Sequence, residues 1–367
     1  MLERYHSLVC EALRALPAAD PFTYSQESQS GTADSHAKQV IERTLGSAPL
    51  EITSRILEEY FSAGPLEPLL RDPSCTEIIV NGPNSIWIER GGRLQRSPEK
   101  FLSSVTLRNF VSRLSREAGL MANLDCPFAD GRWRDCRVHL IVPPASGEEP
   151  VLTLRKHPVN PWTLNKLTDS GWASPREIEA LERVVRDRMN FVVVGGTGSG
   201  KTSVLNACLA SLPEQERAVI IEDTSELHVP NFASTKLLTR RDPQGHLREI
   251  DLSELVRHSL RMRPDRLVMG EIRGGEAKDL LMAFATGHNG CMGTLHAESA
   301  RQALARLEML VQLGAPQWNT QAVRSIIHFS IQAVVVVGRD ETGVRRLEGI
   351  HRIASLEDVG FLMERMT

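Results

Sequence analysis

The chain has 367 residues, an apolar fraction of 41% and a formal net charge of −3. That length allows two or three domains with separate cores, and the near-neutral balance gives no reason to expect nucleic acid as a partner. The composition is that of a soluble globular protein, and no apolar run approaches the roughly 20 residues needed to cross a bilayer.

In chain order, MLERYHSLVCEALRAL mixes acidic residues with short apolar stretches and lacks a cleavage-like site; it predicts a small amphipathic helix and not a signal peptide. Residues 17–36, rich in Ser, Ala, Gln and Pro, carry no periodicity and read as a linker or loosely ordered segment. Two short helices are expected from Ala37 to Ala63, joined at Gly46–Pro49, which completes a helical extension over residues 1–60. Residues 61–156 predict an α+β domain. Its strands are Thr76–Asn81, Ser85–Glu89, a short one after Gly91–Gly92, Arg137–Val142 and Val151–Arg155, and its helix is Thr106–Gly119. The two prolines of HPVNPWTLNKLTDSGW, 157–172, suggest a hinge-like connector. The six cysteines, at 10, 75, 126, 136, 208 and 291, include no C-x-x-C pair; neither a zinc site nor a disulfide framework is expected, as suits a reducing cytoplasm.

From 173 to 367 strands alternate with helices. Strands are expected at Phe191–Val194, Ala218–Ile221, Arg266–Met269, Gly290–Leu295 and Gln332–Val337, with helices at 201–211, 253–262, 275–286 and 300–313. Such alternation predicts an α/β domain whose parallel sheet is covered on both faces. Directly after the first strand stands GGTGSGKT (Gly195, Gly196, Thr197, Gly198, Ser199, Gly200, Lys201 and Thr202), followed by Ser203. This is the phosphate-loop pattern. Glycines let consecutive amides converge on one anion, and the next helix adds its positive end. Lys201 would reach the β- and γ-phosphates and the Thr202 hydroxyl would ligate Mg²⁺.

Three later stretches each place polar groups at a strand end. In VIIEDTSEL, Glu222 and Asp223 are either a helix cap or carboxylates aimed at the loop. DRLVMGEIRGGEA ends a strand in Glu271, an acidic position able to support Mg²⁺, with Gly270 where an Asp is usual. In GCMGTLHAES, His296 follows a strand and is either a satisfied histidine or a site residue. The ordered set resembles the type II/type IV secretion and pilus-assembly ATPases, in which these stretches are the Walker A motif, Asp box, Walker B motif and His box. TEIIVNGPNSIWIERGGRL and PFADGRWRDCRVHLIVPP resemble that family's N-terminal domain, so the likeness spans roughly residues 60–355. The four-cysteine zinc insert of type II secretion ATPases is absent; VNGP, DGR, a strand ending in LRK and GEIRGGEA are closest to the CpaF-like Tad/Flp branch, with the type IV secretion branch beside it.

The resemblance implies a RecA-like ATPase domain preceded by a PAS-like α+β domain. It implies ATP and Mg²⁺ as cofactors, a homohexamer, and work at the cytoplasmic face of the inner membrane with a membrane platform protein. It assigns Glu222 as general base, Glu271 as Mg²⁺ support through a water and a sharer of the base role, and His296 as a γ-phosphate contact. Arg132, Arg137, Arg155, Arg240 and Arg241 become candidates for reaching phosphates across a boundary, against ordinary surface ion pairs. The arginines recurring from 240 to 273 either face a neighbour's triphosphate or form a mixed-charge surface, since acidic residues nearly balance them and no aromatics interleave. Competing functions are a nucleic-acid motor and a non-hydrolysing nucleotide-gated scaffold.

Overall fold

A computed structural model describes residues 1–14, 30–156, 162–240, 247–341, 343–358 and 360–366. It divides into two compact units, Met1–His157 and Pro158–Thr367.

The first unit runs α1 (Leu2–Arg14), α2 (Ser30–Thr44), α3 (Leu50–Phe61), a 3-10 turn at Gly64–Leu66, α4 (Glu67–Arg71), β1 (Cys75–Val80), β2 (Ile86–Arg90), β3 (Arg93–Arg96), α5 (Ser104–Ala118), β4 (Phe128–Trp133), β5 (Cys136–Ile141) and β6 (Val151–Lys156). Its sheet is antiparallel throughout, in the order β3-β2-β1-β6-β5-β4. Alternate residues such as Ile78, Val80, Ile88, Val138, Leu140, Leu152 and Leu154 point to one face and pack with Leu107, Phe110 and Leu114 of α5. α5 begins at a Ser103–Thr106 capping box and ends on Gly119 in the left-handed region. β4 escaped the sequence reading because its FADGRW alternates poorly; pairing with β5 along its whole length makes it a strand. α2 starts at Ser30, inside the segment read as a linker. Ile41 is buried with Val9, Leu45 and Ile56, and a helix so anchored extends backwards at little cost.

One polar group fastens α3 to α5. The fully buried Glu59 carboxylate pairs with Arg55 and accepts from the Leu102 amide at 2.8 Å and the Thr106 hydroxyl at 2.6 Å. Glu59→Ala strands those donors, so urea unfolding of the first unit is expected to show a loss of about 3 kcal/mol.

The second unit continues with α6 (Leu164–Asp169), α7 (Pro175–Arg186), β7 (Phe191–Gly195), α8 (Lys201–Ala210), β8 (Ala218–Glu222), β9 (Thr235–Leu238), α9 (Leu252–Ser259), β10 (Arg266–Met269), α10 (Glu276–Ala285), β11 (Met292–His296), α11 (Ala300–Gly314), α12 (Thr320–Ser330), β12 (Ala333–Arg339), β13 (Arg345–Glu357) and β14 (Gly360–Arg365). Residues 157–161 of the expected connector lie outside the described residues, while Leu164, Leu167 and Trp172 are buried in this unit's core. The sheet order is β14-β13-β12-β7-β11-β10-β8-β9. From β12 to β9 every pairing is parallel, and β7, β8 and β10 are buried at every position, as strands covered on both faces must be. Two core clusters flank them, one built with α9 to α12 and the other with α6 to α8. The sheet is parallel-rich, as expected, and mixed: β13 and β14 return antiparallel beside β12. A hairpin needs no crossover helix, and helix–strand alternation carries no sign of it.

Candidate functional site: a glycine loop at the strand ends

Six parallel strands lie side by side, and the carboxyl ends of five of them, β12, β7, β11, β10 and β8, bring together stretches far apart in sequence. β7 lies between β12 and β11, with Gly195 opposite His296 in the register; β10 and β8 follow. Ligands of open α/β sheets bind at this edge. Gly195 must be glycine, because a Cβ there would overlap the Val337 carbonyl and the Ser199 hydroxyl. Gly198 and Gly200 adopt φ of 70° and 98°, the left-handed turn that lets the loop fold back before α8. Gly196 and Thr197 are exposed at its tip and Ser199 is buried, with its hydroxyl donating to Gly196 O at 2.9 Å; Ser203 follows, half-buried, on α8.

Lys201 is 8% exposed, and its ammonium donates to Gly195 O at 3.0 Å and Gly196 O at 2.8 Å. It also stands 3.4 Å from His296 Nδ1. Across the imidazole, Nε2 is 3.2 Å from Glu271 Oε1, and Glu271 Oε2 meets Arg273 Nη2 at 2.8 Å. Arg273 also reaches Asp223 at 3.6 Å. Lysine, histidine, glutamate and arginine thus form one chain of alternating contacts. Burial, then the Lys201 ammonium, push the His296 pKa below its ordinary value, with Glu271 opposing. A neutral imidazole can accept from Lys201, whereas a protonated one would set two cations against each other.

Glu222 is only 3% exposed and looks inward. Its Oε1 accepts from the amides of Glu226 at 3.0 Å and Leu227 at 2.9 Å. Oε2 has the Lys236 ammonium of β9 at 3.2 Å, an ion pair without hydrogen-bond alignment. Burial raises the carboxyl pKa against the pull of Lys236 and the two amides. A Cβ at Gly270 would sit 2.7 Å from Glu222 Cγ, which explains the glycine where an Asp is usual. Lys236 also donates to Ser225 Oγ at 2.7 Å and to the Leu227 carbonyl, so Glu222 and Lys236 together shape the 223–227 turn. That turn presents Glu226, whose Oε2 accepts from the Thr202 hydroxyl at 3.4 Å.

Glu226 was overlooked by the sequence reading although it stands in the quoted VIIEDTSEL; attention to strand ends passes over a carboxylate one turn further on. Lys236 went unnoticed because β9 did. Among the described residues no three His, Cys, Asp or Glu side chains converge on a metal site. A hard cation held mainly by phosphate oxygens needs only one or two protein oxygens, and Thr202, Glu226 and Glu271 are the donors at hand.

The candidate arginines are dispersed. Arg240 donates twice to Arg248 O, at 3.0 and 2.8 Å, and Arg241 lies outside the described residues. Arg248, Arg257, Arg263 and Arg273 each have a carboxylate partner within the chain, the make-up of a mixed-charge surface, whereas Arg266 is buried and pairs with Glu216. Arg132, Arg137 and Arg155 belong to the first unit. There they stand directly opposite one another across β4, β5 and β6, on the sheet face away from its core. Like charges placed in register oppose strand pairing; Arg132 meets Asp135 at 3.6 Å, and Arg155 also stands opposite Glu77 of β1.

The second unit is therefore an α/β structure with a phosphate-loop sequence at a parallel strand's carboxyl end. The type II/IV secretion system protein family matches residues 59–337, and the chain belongs to that family. It is 36% identical over 314 residues to a putative conjugal transfer protein of Mycobacterium tuberculosis, covering 83% of this chain and 89% of the relative. The type IV secretion system protein PtlH of Bordetella pertussis is 31% identical over 306 residues, 75% of this chain and 88% of its own. In fold the chain is like the X-ray structure of the Legionella pneumophila ATPase DotB, with a TM-score of 0.55 at 19% identity over 79% of each chain.

The depressed His296 pKa fixes the sign of one pH effect. Unfolded, the imidazole takes up its proton near 6.5; folded, it resists. Its contribution is complete above that value and is lost as pH falls below it. Thermal denaturation between about pH 7 and about pH 5.5 is expected to show a smaller fall in Tm for His296→Gln than for the wild type; equal falls would place the imidazole outside this contact.

Proposed function

We propose that the chain is a Mg²⁺-dependent ATPase of RecA-like type that works as a ring, a hexamer, at the cytoplasmic face of the inner membrane, and drives assembly of a Tad/Flp-type pilus or protein export through a membrane platform partner. The observation that carries the ATPase step is the convergence of Lys201, Thr202, Glu226, Glu271 and His296 on one loop at the strand ends. Phosphoryl transfer to water is mostly positioning and charge neutralisation, and each of these groups suits a part of it. The loop amides and Lys201 would bind the triphosphate, with the ammonium exchanging the Gly195 and Gly196 carbonyls for phosphate oxygens. Mg²⁺ supplies Lewis acidity at the phosphates when bound, and Thr202 and Glu271 are the residues that would hold it, the latter through a water.

Two of the three Asp-box carboxylates, Glu222 and Glu226, would divide the remaining work. Glu222 is committed to two amides and an ammonium, so its role in this proposal is to hold the turn. Glu226, beside Thr202, would orient the attacking water. The arginine row of the first unit, Arg132, Arg137 and Arg155, would answer the charge on the transferred phosphoryl, supplied across a domain or subunit boundary. Affinity to the CpaF-like branch rests on VNGP, DGR and GEIRGGEA, and the sister reading, a type IV secretion traffic ATPase, draws on the names of the relatives.

Three variants test the ATPase reading. Lys201→Ala is expected to lose nucleotide binding and turnover together. Glu226→Gln should keep ATP bound while phosphate release slows by about a hundredfold or more at unchanged Tm. Glu222→Gln should lower Tm as well as turnover. A Glu222→Gln protein that is stable, ATP-loaded and idle, beside an active Glu226→Gln, would return the base role to Glu222. ATP turnover stimulated by DNA with a steep salt dependence would instead favour the nucleic-acid motor.

A further inference from the structure

The antiparallel hairpin β12–β13 is not part of any motif recognised in the sequence, yet it touches the phosphate loop at its most constrained point. Arg339 ends β12 and Arg345 begins β13, and the two are directly opposed in the register. Both guanidinium groups turn to the same atom. Arg339 donates to Gly198 O through Nε at 3.1 Å and Nη2 at 2.8 Å, and Arg345 through Nε at 2.9 Å. Two like charges opposed across a hairpin cost stability; here they share an acceptor that lies 141 and 147 residues earlier in the chain. Both side chains lie directly against the loop, whose Gly198 and Gly200 are required by their positive φ. A Cβ at Gly198 would lie 2.5 Å from Arg339 Nη2, and one at Gly200 3.3 Å from the Arg345 Cδ.

The hairpin that carries them is itself braced. Asp340 N donates to Val344 O and Gly343 N to Asp340 O, while the Asp340 carboxylate accepts from Val344 N at 2.9 Å and Arg346 Nε at 2.8 Å. Behind it, Val336 pairs with Val194 one residue before the loop begins. The guanidinium pair is therefore delivered by a hairpin whose inner strand, β12, is in direct register with the loop's own strand.

We propose that Arg339 and Arg345 are positioning residues that clamp the phosphate loop in its anion-receiving shape. A glycine-rich loop binds phosphate through its amides, so each of its carbonyls must face elsewhere, and a peptide plane that begins at a glycine, as Gly198–Ser199 does, turns over easily. Three charge-assisted hydrogen bonds on Gly198 O fix that plane. They also set two positive charges against the Gly198 carbonyl dipole. The clamp acts on binding more than on the chemical step, because neither guanidinium is assigned a reacting atom. The nucleotide part of the inference rests on the ATPase reading above; the effect on the loop does not.

The test uses the full chain with Arg339→Gln, Arg345→Gln and the double variant, each checked for an unchanged Tm. Steady-state kinetics are expected to show the KM for ATP raised about tenfold in each single variant and further in the double, exceeding any fall in kcat. Arg339→Lys keeps the charge but loses the paired donors, and is expected to recover only part of the affinity. Hydrogen exchange without nucleotide is the independent measurement: amides 196–202 should exchange faster in the glutamine variants than in the wild type, with the rest of the second unit unchanged. Unaltered exchange and an unaltered KM would overturn the clamp. A wild type with no ATP turnover would sink the ATPase reading alone, and the exchange rates would still decide the clamp.

Discussion

The ammonium of Lys201 needs negative partners in a place where few are available. It is almost wholly buried at the carboxyl end of β7, and two carbonyls of its own loop hold it while a histidine ring nitrogen stands alongside. A desolvated charge is tolerated only when it is hydrogen-bonded or paired, and the surrounding structure can be read as meeting that demand. The strand before it is buried throughout and fixes where the loop starts. The neighbouring strand β11 delivers His296 in register with Gly195, and the next turn delivers Glu271 behind the imidazole. The same interaction makes the site electrically adaptable, because an incoming anion could replace the carbonyls without moving the strands.

A second layer holds the groups that face the loop. On one side, Glu222 and Lys236 form an inward pair whose amide contacts shape the turn bearing Glu226. On the other, Arg339 and Arg345 close on Gly198 O. The outer groups come from sheet positions flanking the motif strands, β9 beyond β8 and the β12–β13 hairpin beyond β7. These flanking strands do more than extend the sheet, since each brings a cation to the back of a loop at the candidate site.

How much of this could be read in the sequence depends on the range of the interactions. The parallel strands Phe191–Gly195, Ala218–Glu222, Arg266–Met269 and Met292–His296 were legible because continuous apolar runs followed by turn residues are local signals. The glycine loop was legible for the same reason, its spacing being a local demand of phosphate geometry. β9, with TKLL half-exposed at an edge, offers no such run. β13 is amphipathic and arginine-rich, and its role in the sheet comes from pairing with β12. Glu226 shows a different limit: its motif was seen, but which of its three carboxylates faces Thr202 is decided by the amides that capture Glu222 and by Arg273 at Asp223. The arginine pair on Gly198 has no local signature, since its meaning arises only when strands far apart in sequence lie side by side.

The most direct test of this account is the structure of the assembled protein with Mg²⁺ and a non-hydrolysable ATP analogue. The account predicts the Lys201 ammonium withdrawn from the carbonyls of Gly195 and Gly196 and lying on the β- and γ-phosphates, with Gly198 O still held by Arg339 and Arg345. A nucleotide bound elsewhere, with Lys201 still on its own loop, would contradict it.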